Sequence, residues 1–359
     1  MTGLLHSPTR LGDIALANRI VMAPMTRSRA AGNVPGAIMA TYYGDRAGAG
    51  LIVTEGTSPS PDGLGYARIP GIFSDAQQAG WKAVTDAVHA KGGRIFVQLM
   101  HTGRIGHAAN LPEGARVIAP SAIAAPGQMW TDAGGMQDHP VPAEMTEADI
   151  AKAIGEYAAA AKRAIAAGFD GVEVHAANGY LIDQFLNTAT NRRTDRWGGS
   201  VENRIRFALE VSKAVATAIG AGRTGIRVSP HGVFNGLASD PETDALYARL
   251  ARELGELGLV YLHVVDHSAQ GAPAPGEALT AAMRKAFRGA YILSGGYDGA
   301  RAEADLAAGK GDLVAFGRPF IGNPDLPARL AKGKALAAFD PGTLYTPGEK
   351  GYSDYPAAA

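Results

Sequence analysis

The chain has 359 residues, 46% of them hydrophobic and 19% charged, which is enough for a large buried core. Its 34 Lys and Arg balance its 34 Asp and Glu without like-charge runs, so we expect neither nucleic acid nor a membrane as partner. It has no cysteine, which excludes disulfides, thiolate metal sites and cysteine nucleophiles, and we predict no metal site. Residues 1–10 lack the apolar core of a signal peptide, so we expect a cytoplasmic protein.

Short apolar runs alternate with longer amphipathic ones along the chain. Runs rich in Val, Ile and Leu without polar alternation are typical of strands buried on both faces. They lie at 19–23, 50–54, 94–99, 171–175, 225–229, 261–265, 291–293 and 313–316. Helical patterns lie at 34–47, 75–90, 147–167, 201–219, 241–257, 276–287, 299–308 and 324–331. Eight such units predict a single (β/α)8 TIM barrel over residues 1–359, whereas a doubly wound sheet usually has fewer units or a second domain.

Two segments lie outside this alternation. Residues before Asn18 precede the first strand, and we expect them to close the bottom of the barrel. Residues 101–145 follow the third strand, are rich in Pro, Gly and Ala, and show no clear helix. A connection of this length in a compact barrel is usually functional, so it predicts a lid on the active-site face, although a tolerated surface insertion is the alternative.

Glycines follow the last two strands, where the working residues of such barrels lie. Gly295 and Gly296 follow the seventh strand, and Gly317 and Arg318 follow the eighth. Bare backbone N–H groups and a guanidinium at these loops are typical of the recurring phosphate site of the fold. Glycine is also common at turns after strands, and a phosphate could belong to a cofactor or to a substrate.

Polar side chains follow the fourth strand. His175 and Asn178 stand three residues apart, and they would share a face if a helical turn began there. Both could then donate hydrogen bonds to one substrate oxygen, although they could equally form a structural pair. Tyr180 could donate a proton to a carbanion, or could be a packed aromatic residue.

Three further polar residues lie inside or at the end of predicted strands. Gln98 and Arg227 need partners if buried, and an Arg in an apolar strand indicates an anionic or carbonyl-rich ligand. His263 lacks comparable support, and we interpret it as a packing residue. No strand–helix junction carries a dinucleotide or P-loop motif, so a separate nucleotide domain is not expected.

Several long motifs in one order resemble the old yellow enzyme family of FMN-dependent ene-reductases over nearly the whole chain. They lie at 18–27, 169–181, 191–204, 316–318, 323–326 and 351–356. The resemblance implies FMN as a tightly bound cofactor and NADPH or NADH as hydride donor. It implies reduction of the activated C=C bond of α,β-unsaturated carbonyls, with nitroalkenes, maleimides and nitrate esters as further candidates, by a monomer or homodimer.

The resemblance also implies roles for individual residues. The flavin would be held by Pro24, Met25, Thr26, Gly56, Gln98, Arg227, Gly295, Gly296, Gly317 and Arg318. The substrate would be bound by His175, Asn178, Tyr66, Met100 and Tyr345, with His175 and Asn178 on its carbonyl oxygen and Tyr180 as proton donor.

The chain departs from the family at two places. Met100 stands where many relatives have Trp, so the pocket is expected to be roomier, and residues 115–143 do not match relatives well. Two alternatives to a reductase remain at this point: a barrel isomerase or lyase for a phosphorylated substrate, and a non-catalytic flavin carrier.

Overall fold

The computed structural model describes residues 3–358, in which eight parallel strands close into one barrel. The strands β1–β8 are Ile20–Met22, Leu51–Thr57, Ile95–Leu99, Gly171–Ala176, Thr224–Val228, Tyr261–Val265, Ala290–Ser294 and Leu313–Phe316. The helices α1–α8 that follow them are Ala37–Asp45, Asp75–His89, Glu147–Ala166, Val201–Ile219, Thr243–Glu256, Glu277–Ala286, Gly299–Ala307 and Leu326–Ala331. Each strand pairs with its neighbours in chain order, and β8 pairs with β1. The predicted (β/α)8 barrel is therefore confirmed.

Local signals place several helix ends. Ser74 and Gln77 form a reciprocal capping box at the start of α2, and Thr146 and Asp149 form another at the start of α3. The α4 helix ends before Gly220, whose φ of 95° is a conformation that glycine adopts with less strain than other residues. These signals explain why the helix bounds lie within a few residues of those predicted from periodicity.

Some elements differ from the sequence prediction. The β2 strand runs three residues further than predicted, to Thr57, because a register shift between Val53 and Gly56 bends it without ending its pairing with β3. Short helices at Leu181–Leu186 and Pro319–Gly322 were not predicted, since each is too short to show a helical period.

An N-terminal hairpin of strands Thr9–Leu11 and Ile14–Leu16 closes the bottom of the barrel. Leu11 and Leu16 are buried in one cluster with inward-facing strand residues, among them Leu51 and Phe96. The expectation for the segment before Asn18 is thus confirmed, because its apolar side chains fill the end of the barrel interior.

Residues 101–145 form two small sheets rather than an unstructured loop. Strands Gln128–Thr131 and Gly135–Asp138 pair as an antiparallel hairpin, here called the roof hairpin, and Ile118–Ala119 pairs with Ala143–Glu144. Within residues 3–358, no helix is both long and apolar enough to cross a membrane.

The C-terminal strap, residues 341–356, is fastened beside β1 by buried arginines. Arg29 donates to the carbonyl oxygens of Leu344 and Thr343, both at 2.8 Å, and Tyr352 stacks on Tyr42 with ring centroids 4.0 Å apart. Glu55, in β2, lies under this contact and accepts a hydrogen bond from the Arg27 amide at 3.2 Å. Burial raises the pKa of Glu55 to about 7, because these hydrogen bonds and the Arg27 charge only partly offset desolvation.

This raised pKa predicts a stability that depends on pH. The folded state holds a proton on Glu55 that the unfolded state releases near its ordinary pKa, so the stabilisation is present below pH ~4.5 and is lost as pH rises through about 7. The loss amounts to about 3 kcal/mol for this one group. Urea unfolding should show that Glu55→Gln removes this part of the fall in unfolding free energy between pH 5 and 8. The exposed Glu113→Gln serves as control, and parallel curves for Glu55→Gln and the unaltered protein would contradict the assignment.

Candidate active site

Two adjoining cavities open at the C-terminal ends of the strands. The hairpin cavity, about 830 Å³, lies under the roof hairpin, and the glycine-loop cavity, about 670 Å³, extends to the loops after β7 and β8. They form one trough, because both are lined by Pro24, Thr26, Tyr66, Asn178, Tyr180, Arg227 and Tyr345. A trough that joins a wide apolar space to glycine loops suits a ligand with a broad head and a phosphate tail.

His175 and Asn178 both line the hairpin cavity, although the predicted reason for their proximity is wrong. The chain does not begin a helix at His175; it turns at Asn178, whose φ of 61° is left-handed, and the helix begins at Leu181. Asn235 holds this turn by donating to the Asn178 carbonyl oxygen at 2.7 Å. Asparagine tolerates this backbone conformation better than most residues, so the sequence supports the turn locally.

The polar atoms of this pair are ready for a ligand. His175 Nδ1 and Asn178 Oδ1 are buried and have no hydrogen-bond partner within residues 3–358. Burial, with the nearby charge of Arg227, holds the pKa of His175 well below 6.5, so its ring is neutral near pH 7. A neutral imidazole can donate through its ring N–H and Asn178 through its Nδ2, so both can bind a carbonyl oxygen without adding a charge, whereas Asn178 Oδ1 can only accept.

Tyr180 stands at the end of the same turn, beside Tyr66. Their hydroxyl oxygens are 3.0 Å apart, and the Tyr180 ring meets the His175 ring edge to face with centroids 5.1 Å apart. Burial raises the pKa of Tyr180 above 10, although the Tyr66 hydrogen bond and the Arg227 charge oppose the rise. The phenol is therefore protonated at neutral pH and can act as a proton donor.

Gln98 and Arg227 form the floor of the hairpin cavity. Arg227 is 7% exposed, and its Nε has no hydrogen-bond partner among residues 3–358. Gln98 donates its amide to the buried Glu173 at 2.8 Å. A buried guanidinium with an unused donor fits an anionic or carbonyl-rich ligand edge, as the sequence predicted.

The glycine loops form the far end of the trough. Gly295 and Gly296 have φ of 128° and 61°, and a Cβ on Gly295 would strike the backbone of Asp266. Gly317 and the exposed Arg318 line the same cavity, where only glycines let bare N–H groups come close to a ligand. His267, which the sequence analysis did not single out, lies here, and its Nδ1 has no hydrogen-bond partner in the described part of the chain. The only sequence feature that could have pointed to His267 is its position in the loop just after β6.

Two residues assigned from the family resemblance lie one behind the other. Met100 lines the hairpin cavity, as predicted. Gly56 lines neither cavity; a Cβ there would strike the Met100 side chain, so Gly56 makes room for the thioether rather than facing the open space. The remaining assigned residues, Pro24, Met25, Thr26, Tyr66 and Tyr345, all line the trough.

Arg68 ties together three segments at the roof of the trough, and sequence analysis missed it. Its guanidinium pairs with Asp132 of the roof hairpin, donates to the Tyr345 carbonyl oxygen of the C-terminal strap at 3.0 Å, and donates to the Ser28 carbonyl oxygen at 3.2 Å. Trp130, from the same hairpin, lines the cavity and is 53% exposed. These partners are distant along the chain, so periodicity carries no sign of them.

The sequence profile of the NADH:flavin oxidoreductase / NADH oxidase family matches residues 4–337. A chanoclavine-I aldehyde reductase from Penicillium roqueforti is 46% identical over 99% of this chain and 96% of that protein. A probable flavin mononucleotide-dependent alkene reductase from Leishmania infantum is 44% identical over 98% of this chain and 97% of that protein.

Among solved structures, morphinone reductase superposes with a TM-score of 0.96 and 48% identity, covering 100% of this chain and 97% of that one. Another morphinone reductase structure holds tetrahydroNAD. The old yellow enzyme homologue from Zymomonas mobilis superposes with a TM-score of 0.94 and 42% identity, each chain covered to 99%.

The position of Trp130 predicts selective binding of larger apolar ligands. Replacing Trp130 by Ala should weaken 4-phenylphenol by about fivefold, because one aromatic contact of about 1 kcal/mol is lost, and should leave phenol nearly unchanged. Calorimetric titration of the protein as isolated checks this, with Val141→Ala as a matched change at an exposed position outside both cavities. Equal losses for both phenols would show that Trp130 does not cover the ligand.

Proposed function

The chain belongs to the NADH:flavin oxidoreductase / NADH oxidase family, and we propose that its trough reduces the activated C=C bond of α,β-unsaturated carbonyls with FMN and NAD(P)H. One observation carries this proposal: Arg227, His175 and Asn178 line one cavity, and the buried nitrogens Arg227 Nε and His175 Nδ1 have no partners among residues 3–358. Family membership sets aside both earlier alternatives, the isomerase or lyase for a phosphorylated substrate and the non-catalytic flavin carrier.

The residues of the trough fit FMN. Arg227 and Gln98 offer charge and hydrogen bonds to the polar edge of the ring, Pro24 and Thr26 offer a wall for its face, and the glycine loops suit the phosphate. Bound FMN supplies the two-electron carrier between nicotinamide and alkene. The Arg227 charge favours negative charge on a ligand placed over it, and the apolar cavity walls keep water away.

His175 and Asn178 would bind the substrate carbonyl oxygen. Both are neutral donors at one wall, and their hydrogen bonds strengthen as negative charge develops on that oxygen. These hydrogen bonds draw electron density from the β-carbon, so that the β-carbon accepts hydride more readily.

Tyr180 would then deliver a proton to the α-carbon. It keeps its proton at neutral pH, and its hydroxyl lies 3.0 Å from that of Tyr66. Tyr66 can donate to the phenolate left on Tyr180, which limits the cost of a buried negative charge. This assigns Tyr66 a second task besides lining the pocket.

We propose a cytoplasmic protein that is a monomer or a homodimer and that accepts hydride from NADPH or NADH. The relatives' names refer to an aldehyde and to morphinone, so we propose a carbonyl compound of some size as substrate, with nitroalkenes, maleimides and nitrate esters as further candidates. We also propose the roof hairpin as a lid over that substrate.

Separating the two half-reactions tests the proposed function. Anaerobic addition of NADH or NADPH should bleach the yellow protein, and 2-cyclohexenone should restore the colour. In Tyr180→Phe the return of colour should slow by about 10²-fold or more, because general acid catalysis is lost, while bleaching is nearly unchanged. The buried Tyr157→Phe, outside both cavities, is the matched control. Equal slowing of both steps would remove Tyr180 as proton donor, and no response to the enone would refute the reductase.

A substitution at Arg318 tests whether the FMN phosphate lies at the glycine loops. Replacing it by Ala should weaken FMN binding by about tenfold, the loss of one charge-assisted hydrogen bond, and should leave riboflavin affinity unchanged. Quenching of flavin fluorescence by the apoprotein measures both affinities, with the exposed Arg288→Ala as control. A similar loss for riboflavin would place the phosphate elsewhere.

A further inference from the structure

Glu173 is a fully buried carboxylate that the proposed reaction leaves without a task. It lies in β4 two residues before His175, with 0% exposure. Its oxygens accept hydrogen bonds from Gln98 Nε2 at 2.8 Å and from the Tyr261 hydroxyl at 3.0 Å, and His263 Nδ1 lies 2.8 Å away. Three partners from two other strands converge on this carboxylate. Because burying a charged carboxylate carries a large desolvation cost, we expect its charge to have a role.

Strand register places this cluster directly beneath the cavity floor. Glu173 pairs in register with Gln98 of β3, and His175 pairs with Arg227 of β5, which in turn pairs with His263 of β6. Residues two apart on a strand face the same side, so Glu173 shares the interior side with His175. The side chains therefore form one polar layer between the apolar bottom of the barrel and the open cavity.

Gly225 in β5 makes this layer possible. A Cβ at Gly225 would strike the Tyr261 ring, so the missing side chain lets that ring reach across to Glu173. Tyr261 also packs against Phe96, with ring centroids 5.7 Å apart, which holds the ring in place. The carboxylate is thus built into a fixed position, not left at the end of a mobile side chain.

Glu173 and Arg227 bring opposite charges into this layer. Burial alone would raise the pKa of Glu173, but the hydrogen bonds from His263 and Gln98 and the charge of Arg227 hold it below its usual value. Burial keeps the pKa values of His175 and His263 below 6.5, so both rings are neutral near pH 7. The formal charges that remain are those of Glu173 and Arg227, and they cancel.

We propose that Glu173 is a positioning residue that orients the Gln98 amide and offsets the Arg227 charge, and so limits how strongly the site stabilises reduced, anionic flavin. The inference rests on the proposed function, since it assumes FMN on this floor. Gln98 donates a hydrogen bond from Nε2 to Glu173, which leaves the Gln98 side-chain carbonyl oxygen to accept a hydrogen bond from the ligand. Without the carboxylate, the uncompensated guanidinium would hold the reduced flavin more tightly and make it a weaker hydride donor.

The midpoint potential of the holoenzyme tests this inference, with Glu156→Gln, a half-buried carboxylate on α3, as matched control. Glu173→Gln should raise the potential, slow reoxidation by 2-cyclohexenone by about tenfold and not slow reduction by NADH. Glu173→Asp, which keeps the charge, should return the potential towards the original value. An unchanged potential in Glu173→Gln, or equal slowing of both half-reactions, would overturn the inference.

A second variant covers the case in which Glu173→Gln does not fold. Tyr261→Phe keeps the ring and removes one donor to the carboxylate, so the negative charge is less shielded and the potential should fall, opposite to the first variant. An unchanged potential there counts against Glu173. If the unaltered protein is colourless and cannot take up FMN, both proposals fail. If it is yellow but neither variant changes the midpoint potential, only the Glu173 inference fails.

Discussion

A guanidinium inside a β-barrel is the constraint on which the rest of the site depends. Arg227 is 7% exposed, and burial lowers its pKa from the usual value without removing its charge. An unpaired buried charge costs several kcal/mol, so the barrel must supply a counter-charge, a ligand, or both. Glu173 supplies the first from the same interior layer, and the open cavity above leaves room for the second. The protein therefore carries in its core a polar layer that is complete only with a ligand.

This layer also shows where sequence analysis succeeds and where it stops. Arg227 indicated a ligand because an Arg in an apolar strand contradicts its surroundings. Glu173 stands in an equally apolar strand, yet its partners Gln98 and His263 are 75 and 90 residues away. A single sequence shows that a charge is out of place but not what pairs with it. Hydropathy could thus locate the barrel strands, and strand ends could locate most of the trough, whereas the carboxylate beneath the floor required the register of β3, β4 and β6.

The turn after β4 is a second place where the prediction from sequence can be compared with the structure. His175 and Asn178 were expected to share a helical face, and they do share a cavity, but a left-handed residue at Asn178 brings them together. The motif was informative because its residue types suit the chemistry; the backbone that presents them depends on Asn235, which is 57 residues away. The roof is similar: composition marked residues 101–145 as unusual, but only tertiary pairing through Arg68 shows that the hairpin and the C-terminal strap meet above the trough.

The interior of the barrel is divided into two unlike halves, and this division orients the ligand. Strands β3 to β6 contribute the polar side chains of Gln98, Glu173, Arg227 and His263, whereas Ala23, just after β1, and Ala315 of β8 line the glycine-loop cavity with small apolar side chains. The first half offers charge and hydrogen bonds, and the second offers space that ends at the glycine loops. A flat ligand with a polar edge and an anionic tail satisfies both halves in only one orientation, with its edge over Arg227 and its tail toward Gly295 and Gly317. Because the polar side chains come from β3 to β6 and the tail site from β7 and β8, orientation is fixed by strand order around the barrel as much as by any single residue.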